Sequence, residues 1–192
     1  NILDLCTGNA PIPLILNQYT DSKIIGVELQ SEIFELAKET ININNLNNKI
    51  EIINMDVKDL VYMFPTDTFD LITCNPPYFK YEESSNINDN LVKSIARHEI
   101  NIKIEDIIIL ARKLLKNNGS LVIVHRTSRL AEIINLLNQN NLQVKRMRFI
   151  YPKKGAESNL VLIDARKNGN IGLKVLEPLI CHKSDGSYTS EV

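Results

Sequence analysis

Asn75-Pro76-Pro77-Tyr78 is the stretch in which residue type and spacing speak most directly of chemistry. Asn75 offers a side-chain carbonyl and the peptide carbonyl of Pro76 offers a second acceptor. The two prolines fix φ, so both acceptors are held with little freedom to move. Such a pair suits an exocyclic amine, and Tyr78 adds a flat amphipathic ring on which an aromatic base can stack. The bland alternative is a strand stop and a turn, since the apolar run Phe69 to Cys74 has strand length and a proline pair cannot continue a ladder. Even so, the carboxyl end of a strand is where open α/β sheets bind ligands. Asn75, Pro76 and Tyr78 are therefore the candidate catalytic residues.

A second set of polar residues repeats that placement. The run Ile2-Leu3-Asp4-Leu5 ends in Cys6-Thr7-Gly8-Asn9-Ala10, and an apolar segment opened by Pro11 and Pro13 follows. This reads as strand, tight turn and helix, with a glycine that lets a ligand approach backbone N–H groups at the helix start. Ala10 stands where a second glycine would be usual. The next strand, Ile24 to Val27, ends at Glu28, twenty positions after Gly8, an offset at which a carboxylate can take both hydroxyls of a ribose. A third strand, Glu51 to Met55, ends at Asp56, which suits the exocyclic amine of a purine or, equally, a helix cap.

The elements that must position these groups follow from apolar period. Helices are predicted from Ser31, as cap, to the Asn-rich stretch Asn42–Asn48; from Ile104 to Asn117-Asn118-Gly119; and through Leu130 to Leu137, capped by Thr127 or Ser128. The fifth strand is predicted over Gly119 to Val124. Leu142 to Tyr151 and Ser158 to Ala165 are read as an antiparallel hairpin, and Glu82 to Asn90 as a mobile loop over the site. Helix and strand alternate throughout, which predicts an α/β domain spanning residues 1–192, with 169–192 a packed extension. The opening at Asn1, in what reads as the middle of a strand, leads us to expect a missing upstream segment.

Composition bounds the partners. Among 192 residues, 22 Lys and Arg face 23 Asp and Glu, so any nucleic-acid surface must be local. Lys145, Arg146, Arg148, Lys153 and Lys154, with Arg126 and Arg129, form the candidate cluster. Cys6, Cys74 and Cys181 have neither disulfide nor zinc spacing, and the three histidines have no metal-ligand spacing, so no metal site is expected. A reducing, cytoplasmic setting and no membrane span are the expectation.

Asp4-Leu5-Cys6-Thr7-Gly8-Asn9, Asn75 to Phe79, Ala96-Arg97-His98-Glu99, Val124-His125-Arg126, Tyr151 to Gly155 and Asp185-Gly186-Ser187-Tyr188 together resemble the bacterial tRNA1(Val) adenine-N6 methyltransferases. The resemblance implies a Rossmann-like class I methyltransferase fold: a mostly parallel, twisted, seven-stranded sheet with helices on both faces and an antiparallel last strand. It implies S-adenosyl-L-methionine as cofactor, held by Asp4, Cys6, Gly8, Asn9, Glu28, Leu29, Asp56, Val57 and Asn75. The implied partner is tRNA at its anticodon loop, touched by Pro77, Phe79, Arg97, Arg126, Lys153 and Lys154, with the enzyme acting as a monomer. Methylation of a release-factor glutamine amide, or a tRNA-binding protein that has lost transfer, are the competing readings.

Overall fold

The computed structural model describes residues 1–76 and 102–192. Pro77, Tyr78, Phe79, Arg97 and the stretch Glu82 to Asn90 lie outside the described residues. Parallel strands β1 (Ile2–Leu5), β2 (Ile24–Glu28), β3 (Ile50–Asn54), β4 (Phe69–Cys74) and β5 (Leu115–Arg126) run side by side in the order β3-β2-β1-β4-β5. Then come β7 (Leu160–Lys167), antiparallel to both neighbours, and β6 (Leu142–Lys153). The expected seven strands are all present, and the tail adds β8 (Lys174–Val175) and β9 (Leu179–His182), each parallel to β6.

Helices cover both faces because the strand residues alternate between two apolar clusters. On one face Ile2, Ile24 and Ile50 pack with Ala10, beside α1 (Pro11–Leu16), and with Ala37 and Ile41 of α2 (Ser31–Ile43). A short α3 (Leu60–Met63) follows β3. On the other face Leu3, Leu5, Val27 and Ile72 pack with Ile104, Ile107, Ile108, Ala111 and Leu114 of α4 (Ile104–Leu114), and with Ile133 and Leu137 of α5 (Leu130–Gln139). All four residues of β1 are buried, as expected of a central strand covered on both sides. Truncating Leu3 or Leu5 to alanine should cost about 2–5 kcal/mol.

Local chemistry departs from the sequence reading at three places. Gln30, not Ser31, occupies the cap position of α2; Ser31 is already helical and its hydroxyl donates to Asn54 Oδ1 at 3.0 Å. No side chain caps α5, because Thr127 lies in a 3₁₀ turn and its hydroxyl bonds that of Ser158 at 3.2 Å. Asn117-Asn118-Gly119 does not end α4, which stops at Leu114. Leu115 already pairs with Phe69, and Ser120 with Leu71, so the residues between form an irregularity in β5 with Asn118 in the left-handed region at φ 62°. A polar, turn-prone triplet inside a strand reads from sequence as a terminator; the structure absorbs it as a bulge.

Candidate active site

The turn after β1 is wound tightly by three left-handed residues, Cys6, Gly8 and Ala10, at φ 57°, 58° and 67°. Thr7 N–H donates to Val27 O and Ala10 N–H to Thr7 O, both at 3.0 Å, which folds the turn back over β2. Gly8 serves this backbone rather than saving space, since a Cβ there would meet nothing within 4 Å. Its N–H instead points at the end of β2 and donates to Glu28 Oε2 at 2.9 Å, while Gln30 N–H donates to Oε1 at 2.9 Å. The buried Glu28 carboxylate is thus oriented by two backbone donors, and each oxygen keeps a free lone pair. No cationic side chain pairs with it among the described residues.

Beneath the turn lies a network that spans three strands. Asp4 is in register with Gly26 on one side and Thr73 on the other. Thr73 Oγ1 donates to Asp4 Oδ1 at 2.5 Å and Thr7 Oγ1 to Oδ2 at 2.6 Å. Gly26 makes the room: a Cβ there would sit 2.9 Å from Thr7 Oγ1. Burial pushes the Asp4 carboxyl up to about 6, against the opposing pull of the two hydroxyl donors. Asp4 therefore anchors the turn from below and does not line the cavity.

A cavity of about 220 Å³ opens above, lined by Cys6, Gly8, Val27, Glu28, Leu29, Gln30, Asp56, Val57, Asn75 and Ile102. Of the cofactor candidates, Cys6, Gly8, Glu28, Leu29, Asp56, Val57 and Asn75 meet there. Asn9 is exposed and outside the lining. Asp56 does both things its position allowed: its Oδ1 accepts from Lys58 N–H at 2.9 Å as a 3₁₀ cap, and the residue still faces the cavity. Asn75 is exposed just past β4, and Pro76 behind it is buried.

Sequence reasoning missed Thr7, Thr73, Val27, Gln30, Asn54 and Ile102. Asn54 fixes the turn after β2, donating through Nδ2 to Glu28 O at 2.9 Å and to Leu29 O at 3.0 Å. Ile102 carries no local signal; only the fold brings it across.

The basic cluster divides. Arg146 pairs with Asp164 at 2.7 Å, Arg148 with Glu191, and Arg129 with Glu132 at 2.6 Å, while Lys145 Nζ donates to Asn170 O at 3.0 Å. Each of these four already has a partner within the protein. Lys153 and Lys154 remain exposed, with no ion pair among the described residues. Arg126 ends β5, opposite Leu160. Its N–H donates to Nδ1 of the buried His125 at 2.8 Å, and burial brings His125 down to about 4, so the ring is neutral at pH 7. No cluster of metal-ligating side chains occurs among the described residues, and no helix there is long and apolar enough to cross a membrane.

Comparison with known proteins adds to this geometry. Residues 2–98 match the family model described as a methyltransferase domain. The tRNA1(Val) (adenine(37)-N6)-methyltransferase of Cytophaga hutchinsonii is 26% identical, with 99% of this chain and 78% of that protein aligned. Its namesake from Bacteroides thetaiotaomicron is 29% identical over the same shares. Among solved structures, a predicted O-methyltransferase from Agrobacterium tumefaciens superposes with a TM-score of 0.73 at 20% identity, covering 99% of this chain and 85% of that one. A geranyl diphosphate C-methyltransferase from Streptomyces coelicolor gives 0.65 at 12% identity, over 86% and 70%. At such identities the structural likeness speaks to the fold, a Rossmann-like class I sheet.

Proposed function

Since the chain belongs to the methyltransferase domain family, we propose that it moves a methyl group from S-adenosylmethionine to N6 of an adenine in tRNA, at position 37 beside the anticodon, as its relatives are named for. One observation carries the reading: a single cavity has the oriented Glu28 carboxylate in its wall and Asn75 at its β4 side. The cavity suits the nucleoside end of the cofactor. Glu28 has a free lone pair on each oxygen for two ribose hydroxyls; Val27, Leu29, Val57 and Ile102 give apolar walls for a purine, and Asp56 an acceptor for its amine.

Bound there, the cofactor supplies a sulfonium-activated methyl group. The protein supplies position and electrostatics. Two acceptors, the Asn75 side-chain carbonyl and the Pro76 peptide carbonyl, take the N–H protons of the target amine and so turn its lone pair away from themselves, toward the cavity. As that lone pair forms the new N–C bond, the methyl's bond to sulfur would break with its electron pair left on the sulfur, so the positive charge would pass to N6 and both hydrogen bonds would strengthen. The pair thus stabilises the transition state more than the ground state. Neither amide oxygen is basic enough to keep a proton, so the surplus N6 proton passes to water after transfer. Exposed Lys153 and Lys154 on the same sheet edge offer ammonium groups to tRNA phosphates.

The test is single-turnover methylation of a tRNA anticodon stem-loop, with purified release factor as a competing acceptor. Asn75→Ala should lower the transfer rate by at least about 10²-fold, since a lost acceptor also loses alignment, and should change S-adenosylhomocysteine affinity far less. Methyl groups arriving on release factor instead of tRNA would overturn the substrate. Transfer by Asn75→Ala at the parent rate would overturn the mechanism.

A further inference from the structure

The closing motif Asp185-Gly186-Ser187-Tyr188 has no part in the cavity, yet the tail is built to present it. After β9 the chain turns back in a tight hairpin. Lys183 N–H donates to Ser187 O at 2.8 Å and Gly186 N–H to Lys183 O at 3.1 Å, with Gly186 at φ 84°. Asp185 Oδ1 accepts from both the N–H and the hydroxyl of Ser187, at 2.9 and 2.7 Å, which holds its carboxyl below the usual range. Thr189 closes the far side, its N–H to Cys181 O at 2.9 Å and its hydroxyl to Ile180 O at 2.7 Å. The product of this bonding is one ring pair: Tyr188 bridges His182 and stacks on it, centroids 4.8 Å apart and planes 29° from parallel. His182 Nδ1 is 3.0 Å from Pro152 O; a carbonyl only accepts, so Nδ1 carries the proton and the imidazole is fixed from behind. Tyr188 nevertheless keeps 64% of its surface exposed.

The surroundings say what that surface fits. His182 is in register with Lys153, and Lys153, Lys154 and Lys183 are all exposed beside the stack, against the carboxylates of Asp185, turned onto Ser187, and of Glu157 in the β6–β7 connection. β6 and β9 both end at the edge where β4 delivers Asn75, because β7 alone reverses the sheet direction. Four strand spacings of about 4.8 Å separate β4 from β9, roughly 19 Å in all. That is too far for the reacting base and suits another nucleotide of the same molecule.

We propose that the His182–Tyr188 stack and the lysines beside it form a second RNA contact, taking one unstacked base on the open face of Tyr188 and neighbouring backbone phosphates on Lys153, Lys154 and Lys183. Stacking on an aromatic face and charge contact with the backbone are how proteins hold single-stranded nucleic acid without reading its sequence. The contact rests on the reading of tRNA as substrate, and it acts on docking, not on transfer.

The experiment measures binding and transfer separately. Affinity of the full chain for a fluorescent anticodon stem-loop is titrated over a range of salt, alongside S-adenosylhomocysteine binding and methyl transfer. Tyr188→Ala should weaken RNA binding by roughly 5- to 100-fold, the loss that removing one stacking ring carries, while Tyr188→Phe stays within about twofold. Lys183→Glu should lower the salt slope, with cofactor affinity unchanged in all three. Parental RNA affinity in Tyr188→Ala, or an equal loss in Tyr188→Phe, overturns the platform. So does a parent chain that binds no RNA and modifies a protein instead. A parent that binds the stem-loop, loses it with Tyr188→Ala and yet transfers no methyl group upholds the platform and overturns the transfer reading.

Discussion

Asp4 and His125 show how much a single buried ionisable group decides. In the fold the Asp4 carboxyl is raised to about 6 from 3.8, so its ionisation opposes folding. Stability from this group is fully present below pH ~4 and is lost as pH rises through 6, by about 3 kcal/mol for a shift of this size. His125 runs the other way: lowered to about 4 from 6.5, it favours the fold above pH 6.5 and loses that contribution as pH falls toward 4. The two offset each other between pH 4 and 6.5. Asp4→Asn should therefore raise the urea midpoint at pH 7 and leave a protein whose stability falls on acidification, whereas the parent is flatter; parallel pH profiles for the two proteins would deny Asp4 its raised value. Ala10 poses a closer contest. Its left-handed backbone costs an alanine about 1 kcal/mol, and its buried methyl contributes about 0.8 kcal/mol. Ala10→Gly should then move the unfolding free energy by less than about 0.5 kcal/mol. A loss well above that, read from urea denaturation, would mean that packing of the methyl outweighs relief of the backbone.

At the scale of elements, each strand–turn unit was legible from sequence because apolar period and Gly, Pro or Asn punctuation are local signals. Gly8, Glu28, Asp56 and Asn75 were singled out by this route, each at or shortly after the carboxyl end of a strand, and all four line the cavity. What stayed hidden were the residues that act across strands. Thr73 and Gly26 reach Asp4 only once the register Ile2↔Leu71 and Ile2↔Ile24 is set, and no spacing in the chain announces that register. Asn54 is similar: an unremarked polar residue at the end of β3 that clamps the turn after β2 through two carbonyls. Asn54→Ala should cost about 1–2 kcal/mol of stability, and should weaken S-adenosylhomocysteine several-fold by letting Glu28 drift. Unchanged cofactor affinity in calorimetry would mean that Met55 N–H, which also bonds Glu28 O at 3.1 Å, is enough to hold the turn.

For the whole molecule, the tail finishes the sheet. Its apolar residues stay exposed at Ile171, Leu173, Val175 and Leu176, so it adds strand pairing and little core, a distinction that apolar composition alone could not make. Ending the chain after Lys167 would strip β8 and β9 from β6 and leave its backbone groups unpaired, an edge that invites other chains. Such a truncation should remain folded but self-associate with rising concentration in sedimentation; a monodisperse truncation would show that the edge needs no cover. The position of β7 between β5 and β6 has a further effect during synthesis. β6 emerges from the ribosome ahead of β7, the described strand that joins it to the sheet, so it must wait for β7 to follow, then pair with it and dock as a hairpin. A translation pause that holds β7 inside the ribosome after β6 has emerged should therefore prolong the interval in which a nascent chain offers an unpaired twelve-residue strand to proteases and chaperones.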